Sequence, residues 1–138
     1  MDDCVIQCKD LCFSYPNGVQ ALSQINLSIN RGDYIALVGQ NGSGKTTLAK
    51  HLNGLLKPSQ GVVHVFGEDT KDKKVSQLSR KVGYVFQNPD DMLFCTSVAD
   101  EIAYGPHMLG FDKNEVSQKV ESIIEELGLI EHRDTHPF

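Results

Sequence analysis

The chain has 138 residues, 40% hydrophobic and 22% charged, with a formal net charge of −5. That is the size and composition of one soluble globular domain with a core of its own. An acidic balance argues against a nucleic-acid surface. No apolar run reaches the roughly 18–20 residues of a membrane span, and the acidic start Met1-Asp2-Asp3 is unlike a secretory signal.

In chain order, residues 5–14 read as one or two short strands, and Tyr15-Pro16-Asn17-Gly18 as a turn. Cys4, Cys8 and Cys12 recur every four residues, which on a regular strand puts them on one face. Neighbours would lie about 13 Å apart, too far for a shared ion, so small core residues are the expectation. Neither they nor Cys95 suggests a disulfide, which suits a reducing compartment. Ile25, Leu27 and Ile29 alternate with polar residues as a half-buried strand, ended by Asn30-Arg31-Gly32-Asp33.

The apolar run Tyr34-Ile35-Ala36-Leu37-Val38 predicts a buried strand, and Leu48, Leu52 and Leu55 predict a helix to about Leu56, stopped by Lys57-Pro58. Between them, Gly39-Gln40-Asn41-Gly42-Ser43-Gly44-Lys45-Thr46 fits the phosphate-binding pattern G-x-x-x-x-G-K-[ST]. Strand, glycine-rich turn and helix are the context that this motif requires. The glycines let main-chain N–H groups curl around a polyphosphate, and the helix adds the positive end of its dipole. Lys45 would reach the β- and γ-phosphates and the Thr46 hydroxyl would ligate Mg²⁺. The expectation is a nucleoside triphosphate held at Gly39, Asn41, Gly42, Ser43, Gly44, Lys45, Thr46 and Thr47.

Val62–Phe66 reads as a strand closed by Gly67. Its continuation Glu68-Asp69 imitates a strand ending in acids, but the intervening glycine favours a simple turn. Lys71, Lys73 and Lys74 read as a solvated turn beside Asp69 and Asp72. A short helix near 75–80 leads to a strand over Lys81–Phe86, then a loop, Gln87-Asn88-Pro89-Asp90-Asp91. Thr96 or Ser97 can cap a helix to about Tyr104, ended by Gly105-Pro106. Asp112 or Asn114 can cap a last helix with Val116, Val120, Ile123, Ile124 and Leu127 on its apolar face and Gly128 as its stop. His51, His64, His107, His132 and His136 are scattered without ligand spacing, and none is assigned chemistry. The fold class is therefore α/β: a P-loop core joined to an antiparallel β subdomain, one domain over residues 1–138.

Neither the guanine-reading Asn-Lys-x-Asp nor a switch Asp-x-x-Gly follows the P-loop, and some 33 strand-like residues precede it, unlike most small-molecule kinases. The order Phe13-Ser14-Tyr15-Pro16, the P-loop through Thr47, Leu52-Asn53-Gly54-Leu55 and Gly83-Tyr84-Val85-Phe86-Gln87-Asn88-Pro89-Asp90 resembles the ATP-binding subunit of an ABC transporter. With Leu93-Phe94 and Tyr104-Gly105-Pro106 it is similar to the energy-coupling-factor group, importers of cobalt, nickel and vitamins; Met92 stands where that group usually has Gln.

The resemblance implies ATP and Mg²⁺ as ligands, a membrane-spanning subunit and a second ATPase subunit as partners, no nucleic acid, and a place on the cytoplasmic face of the membrane. It implies that Tyr15 stacks on adenine. Gln87 would be the Q-loop glutamine, meeting Mg²⁺ or the attacking water, and with Lys45 would carry the catalytic roles. Met92, Leu93 and Phe94 would be a local anchor or part of the docking surface.

Hydrolysis in that family also needs an apolar strand ending Asp-Glu, a Leu-Ser-Gly-Gly-Gln loop and a later His at the γ-phosphate, none of which occurs in these 138 residues. The expectation is the N-terminal half of such a domain, ending before the signature loop, that binds ATP with negligible turnover alone. The alternatives are a non-catalytic module or remnant paired with an intact ATPase, and an unrelated P-loop kinase.

Overall fold

The computed structural model describes residues 3–138; Met1-Asp2, the start of the acidic N-terminus, lies outside them. The chain divides into two compact units, residues 1–84 and 85–138.

In the first unit, β1 (Cys4–Ser14) and β2 (Gln20–Asn30) form a long antiparallel hairpin. β3 (Gln60–Val65) pairs antiparallel with the other edge of β1, and the short β4 (Glu68–Asp69) with β3, giving the order β2-β1-β3-β4. Phe66 and Gly67, with φ of 48° and 77°, are the two-residue turn between β3 and β4. Positive φ at both positions matches the right-handed strand twist.

A bulge breaks the alternation in β1. Asp10 has φ 47°, and the register steps from Cys8↔Leu27 to Leu11↔Ile25. One inserted residue moves everything beyond it to the opposite face. Cys8, Leu11 and Phe13 thus share one core with Leu22, Leu48 and Val63. Cys12 falls between Leu11 and Phe13 on the other face, so the three cysteines do not share a side. Cys8 is buried, and burial pushes its thiol up to about 11. No cluster of metal-ligating side chains occurs among the described residues.

The helix α1 (Lys45–Leu52) lays Thr47, Leu48 and His51 against that core. It stops earlier than the Lys57-Pro58 signal suggests. Gly54 takes φ 77° and its N–H bonds the His51 carbonyl, so Asn53-Gly54 is the C-terminal stop. The helix α2 (Val75–Leu78) buries Leu78. Glu68 accepts ion pairs from Lys73 and Lys81, which hold its carboxyl below the usual range, Lys81 most strongly.

The expected strands at 34–38 and 81–86 are not part of the sheet. Tyr34 is 99% exposed, Val38 85% and Val85 82%. An extended apolar run becomes a strand only beside a partner ladder, and among the described residues the sheet contains only β1–β4.

The second unit is helical. Ser97 caps α3 (Val98–Met108) by accepting the Asp100 N–H at 3.1 Å. The helix runs through Gly105-Pro106 rather than ending there. Pro106 sits in its last turn, where the missing N–H removes one bond, and the N–H groups of Leu109 and Phe111 bond the Gly105 and Pro106 carbonyls. Asp112 caps α4 (Lys113–Glu126), accepting from Asn114 and Glu115. Val116, Val120 and Ile124 are its buried stripe against Ala99, Ile102 and Ala103 of α3. Ile123 and Leu127 of the expected face are exposed, because four-residue steps from Val116 carry the stripe past them. Gly128, φ 68°, ends the helix.

Candidate nucleotide-binding site

The glycine-rich turn enters α1 through Gly44, whose φ of 90° is left-handed and whose position gives no side-chain cap. A Cβ there would lie 2.7 Å from the Ala21 carbonyl oxygen, so β2 backs the turn too closely for any other residue. Gly42 is also left-handed, φ 82°, and a Cβ on Gly39 would meet Ser43 Oγ at 2.7 Å. The turn holds its own shape through the Ser43 N–H, which bonds the Gln40 carbonyl at 3.2 Å.

Lys45 Nζ folds back and donates to the Gly39 and Gln40 carbonyls, both at 2.8 Å. The first turn of α1 carries no acidic residue. Here an uncapped helix N-terminus, one ammonium and the exposed residues Asn41, Ser43 and Thr46 converge on a short stretch. Such a donor set, with no carboxylate of its own, fits a polyphosphate anion. The lone Thr46 hydroxyl could hold Mg²⁺ only together with oxygens of that anion and water, which is how this ion is commonly bound.

Thr47 behaves differently from its neighbours. It is buried, and its hydroxyl is 2.9 Å from the Tyr15 hydroxyl. The β1–β2 turn delivers Tyr15 there: its N–H bonds the Val19 carbonyl and its carbonyl accepts from Gly18, both at 2.9 Å. The Tyr15 ring is 37% exposed and meets Phe13 edge-on at 4.9 Å. Phe13 in turn meets His51 edge-on at 4.7 Å. His51 Nδ1 donates to the Thr47 carbonyl at 2.8 Å.

The histidine is fully buried, and burial lowers its pKa against the opposing pull of the Thr47 and Lys57 backbone. Its Nε2 makes no hydrogen bond of normal geometry, although the Lys57 backbone is near enough to act on the ring. Sequence reasoning assigned His51 no chemistry; the four-residue step from Thr47 on one helix was the available signal.

Gln87 lies in the second unit, exposed, just before a 3-10 turn at Pro89–Asp91. The loop after it is ordered by one side chain that the sequence did not single out. Glu101 accepts the N–H groups of Phe94 and Cys95 at 3.0 and 2.8 Å. Desolvation pushes that carboxyl up, but the donors from Cys95 and Phe94 outweigh it and its pKa falls below the usual range. Met92 Sδ accepts the Phe86 N–H, and Phe94, 61% exposed, stands edge-on to Tyr104 at 4.6 Å.

Comparison with known proteins gives the family and the fold. The family model described as ABC transporter matches residues 22–137. The chain is 48% identical, over 99% of its length, to a protein of Caldanaerobacter subterraneus subsp. tengcongensis provisionally named as an ABC transporter ATP-binding protein, and covers 24% of that protein. It is 42% identical over 96% of its length to the energy-coupling factor transporter ATP-binding protein EcfA of Methanothermobacter thermautotrophicus, covering 43% of it.

The fold matches CbiO1 of Clostridium perfringens, part of the ABC transporter complex CbiONQ, with a TM-score of 0.81 and 31% identity. That match covers 97% of this chain and 54% of CbiO1. The chain thus spans between a quarter and about half the length of these relatives. The antiparallel sheet and the P-loop helix are those of an ABC ATPase, in its N-terminal part. The chain belongs to the ABC transporter family, as the N-terminal part of its ATP-binding domain.

Proposed function

We propose that the chain supplies the ATP-binding half-site of an importer of the energy-coupling-factor type. The observation that carries this is the P-loop itself: an uncapped helix start at Gly44, with Lys45 and Thr46 beside it and the half-exposed Tyr15 one turn away across Thr47. The backbone N–H groups from Gly42 to Thr46 and the Lys45 ammonium bind the phosphates. Tyr15 offers its ring to adenine. Thr46 would hold Mg²⁺ through its hydroxyl, and Gln87 is assigned the Q-loop role that the family resemblance implies. MgATP, when bound, supplies the phosphoryl group whose transfer to water releases the free energy.

The names of two relatives support the importer type: EcfA is an energy-coupling factor protein, and CbiO1 belongs to a CbiONQ complex. A membrane-spanning subunit and a second ATPase subunit are then the partners, at the cytoplasmic face of the membrane, and the cargo is a metal ion or vitamin. The apolar loop around Phe94, fixed by Glu101, suits the docking role. No helix among the described residues is long and apolar enough to cross a membrane, so transport requires a separate spanning subunit or segment.

Calorimetric titration with MgATP tests the site. Lys45→Ala should weaken binding about tenfold to a hundredfold, the range for a hydrogen-bonded charge. Unchanged affinity in that variant, or no MgATP binding by the unsubstituted chain, would sink the proposal.

A further inference from the structure

Four residues from two separate segments, the end of β1 with its turn and the helix α1, close into a circuit. His51 Nδ1–H bonds the Thr47 carbonyl, the Thr47 hydroxyl bonds the Tyr15 hydroxyl, Tyr15 meets Phe13 edge-on, and Phe13 meets His51 edge-on. Phe13 and His51 are inside the core, whereas Tyr15 is the member with an exposed ring. The circuit therefore has a buried back and a single open front.

His51 is an expensive residue for mere packing. With Nδ1 donating, the neutral ring leaves Nε2 buried without a hydrogen bond of normal geometry, the Lys57 backbone being the one polar group that still acts on the ring. An orphaned buried acceptor costs stability, and a phenyl or leucyl group in the same space would not carry that cost. What a hydrocarbon could not do is bond the Thr47 carbonyl while standing edge-on to Phe13. That bond fixes the imidazole, the imidazole backs Phe13, and Phe13 with Thr47 fixes both the body and the tip of the Tyr15 ring. A turn-borne aromatic held at two points loses little further freedom when a flat ligand stacks on it.

We infer that His51 and Phe13 are positioning residues for the nucleotide base, holding Tyr15 as a preset stacking platform, an inference that rests on the ATP binding proposed above. Neither touches the nucleotide; both act through Tyr15 and Thr47.

The test measures affinity for ATP and for inorganic tripolyphosphate, both with Mg²⁺, on the full 138-residue chain and two variants. The readout is the ratio of the two affinities, which a general loss of stability would not change because both ligands use the P-loop. His51→Phe keeps an aromatic edge against Phe13 but removes the bond to Thr47. Tyr15→Phe keeps the stacking ring but removes its hydroxyl tether.

Each variant should lower the ATP preference about threefold to tenfold, the worth of one hydrogen bond or aromatic contact. If His51→Phe does not fold, Tyr15→Phe decides alone, since its change is at a partly exposed ring. A preference held within twofold of the original in the folded variants overturns the positioning roles and leaves ATP binding standing. An original chain that prefers ATP no more than tripolyphosphate overturns base stacking and the inference with it.

Discussion

At the scale of single residues, the P-loop was readable because its glycines answer local backbone demands: Gly44 is left-handed and pressed against the Ala21 carbonyl. His51 was not readable, since its importance arises from Phe13, 38 positions away, and from burial. Its titration gives a prediction with a definite sign. Burial holds the folded-state pKa below 6.5, so the unfolded chain takes up the proton first as pH falls. His51 therefore favours the folded state least below pH 6.5, and stability drops as pH falls through that window toward the folded pKa, by at most about 1.4 kcal/mol per unit. Urea unfolding at pH 7.5 and 5.5 should show His51→Phe losing less stability on acidification than the original chain. Equal losses would mean that the ring does not titrate with folding.

At the scale of elements, the helices were legible where a cap and a 3.6-residue stripe coincide. Asp112 or Asn114 as cap and the apolar face Val116, Val120, Ile123, Ile124 and Leu127 placed α4 to within a few residues, since both signals are contained within the helix. Of these, Asp112 is the cap and Val116, Val120 and Ile124 are buried. Ends marked by proline were misplaced: α1 stops at Gly54 before Pro58, and α3 passes through Pro106. The left-handed Gly54 ends α1 before its proline is reached, and at Pro106 the ring costs α3 a single bond. Ile124 is 2% exposed at the centre of the second core. Ile124→Ala should therefore cost about 2–4 kcal/mol in denaturant unfolding. A loss under about 0.5 kcal/mol, the size of an ordinary surface effect, would show that α3 and α4 do not share a tight core.

For the whole molecule, the antiparallel sheet was predictable from alternation, but the strand status of 34–38 and 81–86 was not. Tyr34, Leu37 and Val38 leave apolar side chains in water, a surface on which copies of the chain can associate. Sedimentation velocity should show association rising with concentration, and Val38→Lys should reduce it. A chain that stays monomeric across a hundredfold concentration range would refute this.

By itself the sequence determined the glycine-rich turn and the start of its helix, because these depend on neighbours within a few residues, and the family, because its short motifs keep their order along the chain. Only the tertiary structure decided which apolar runs become strands, that a bulge at Asp10 parts Cys12 from Cys8, and that His51 stands behind Tyr15. Each of these depends on partners brought together by folding, and no local pattern records a partner.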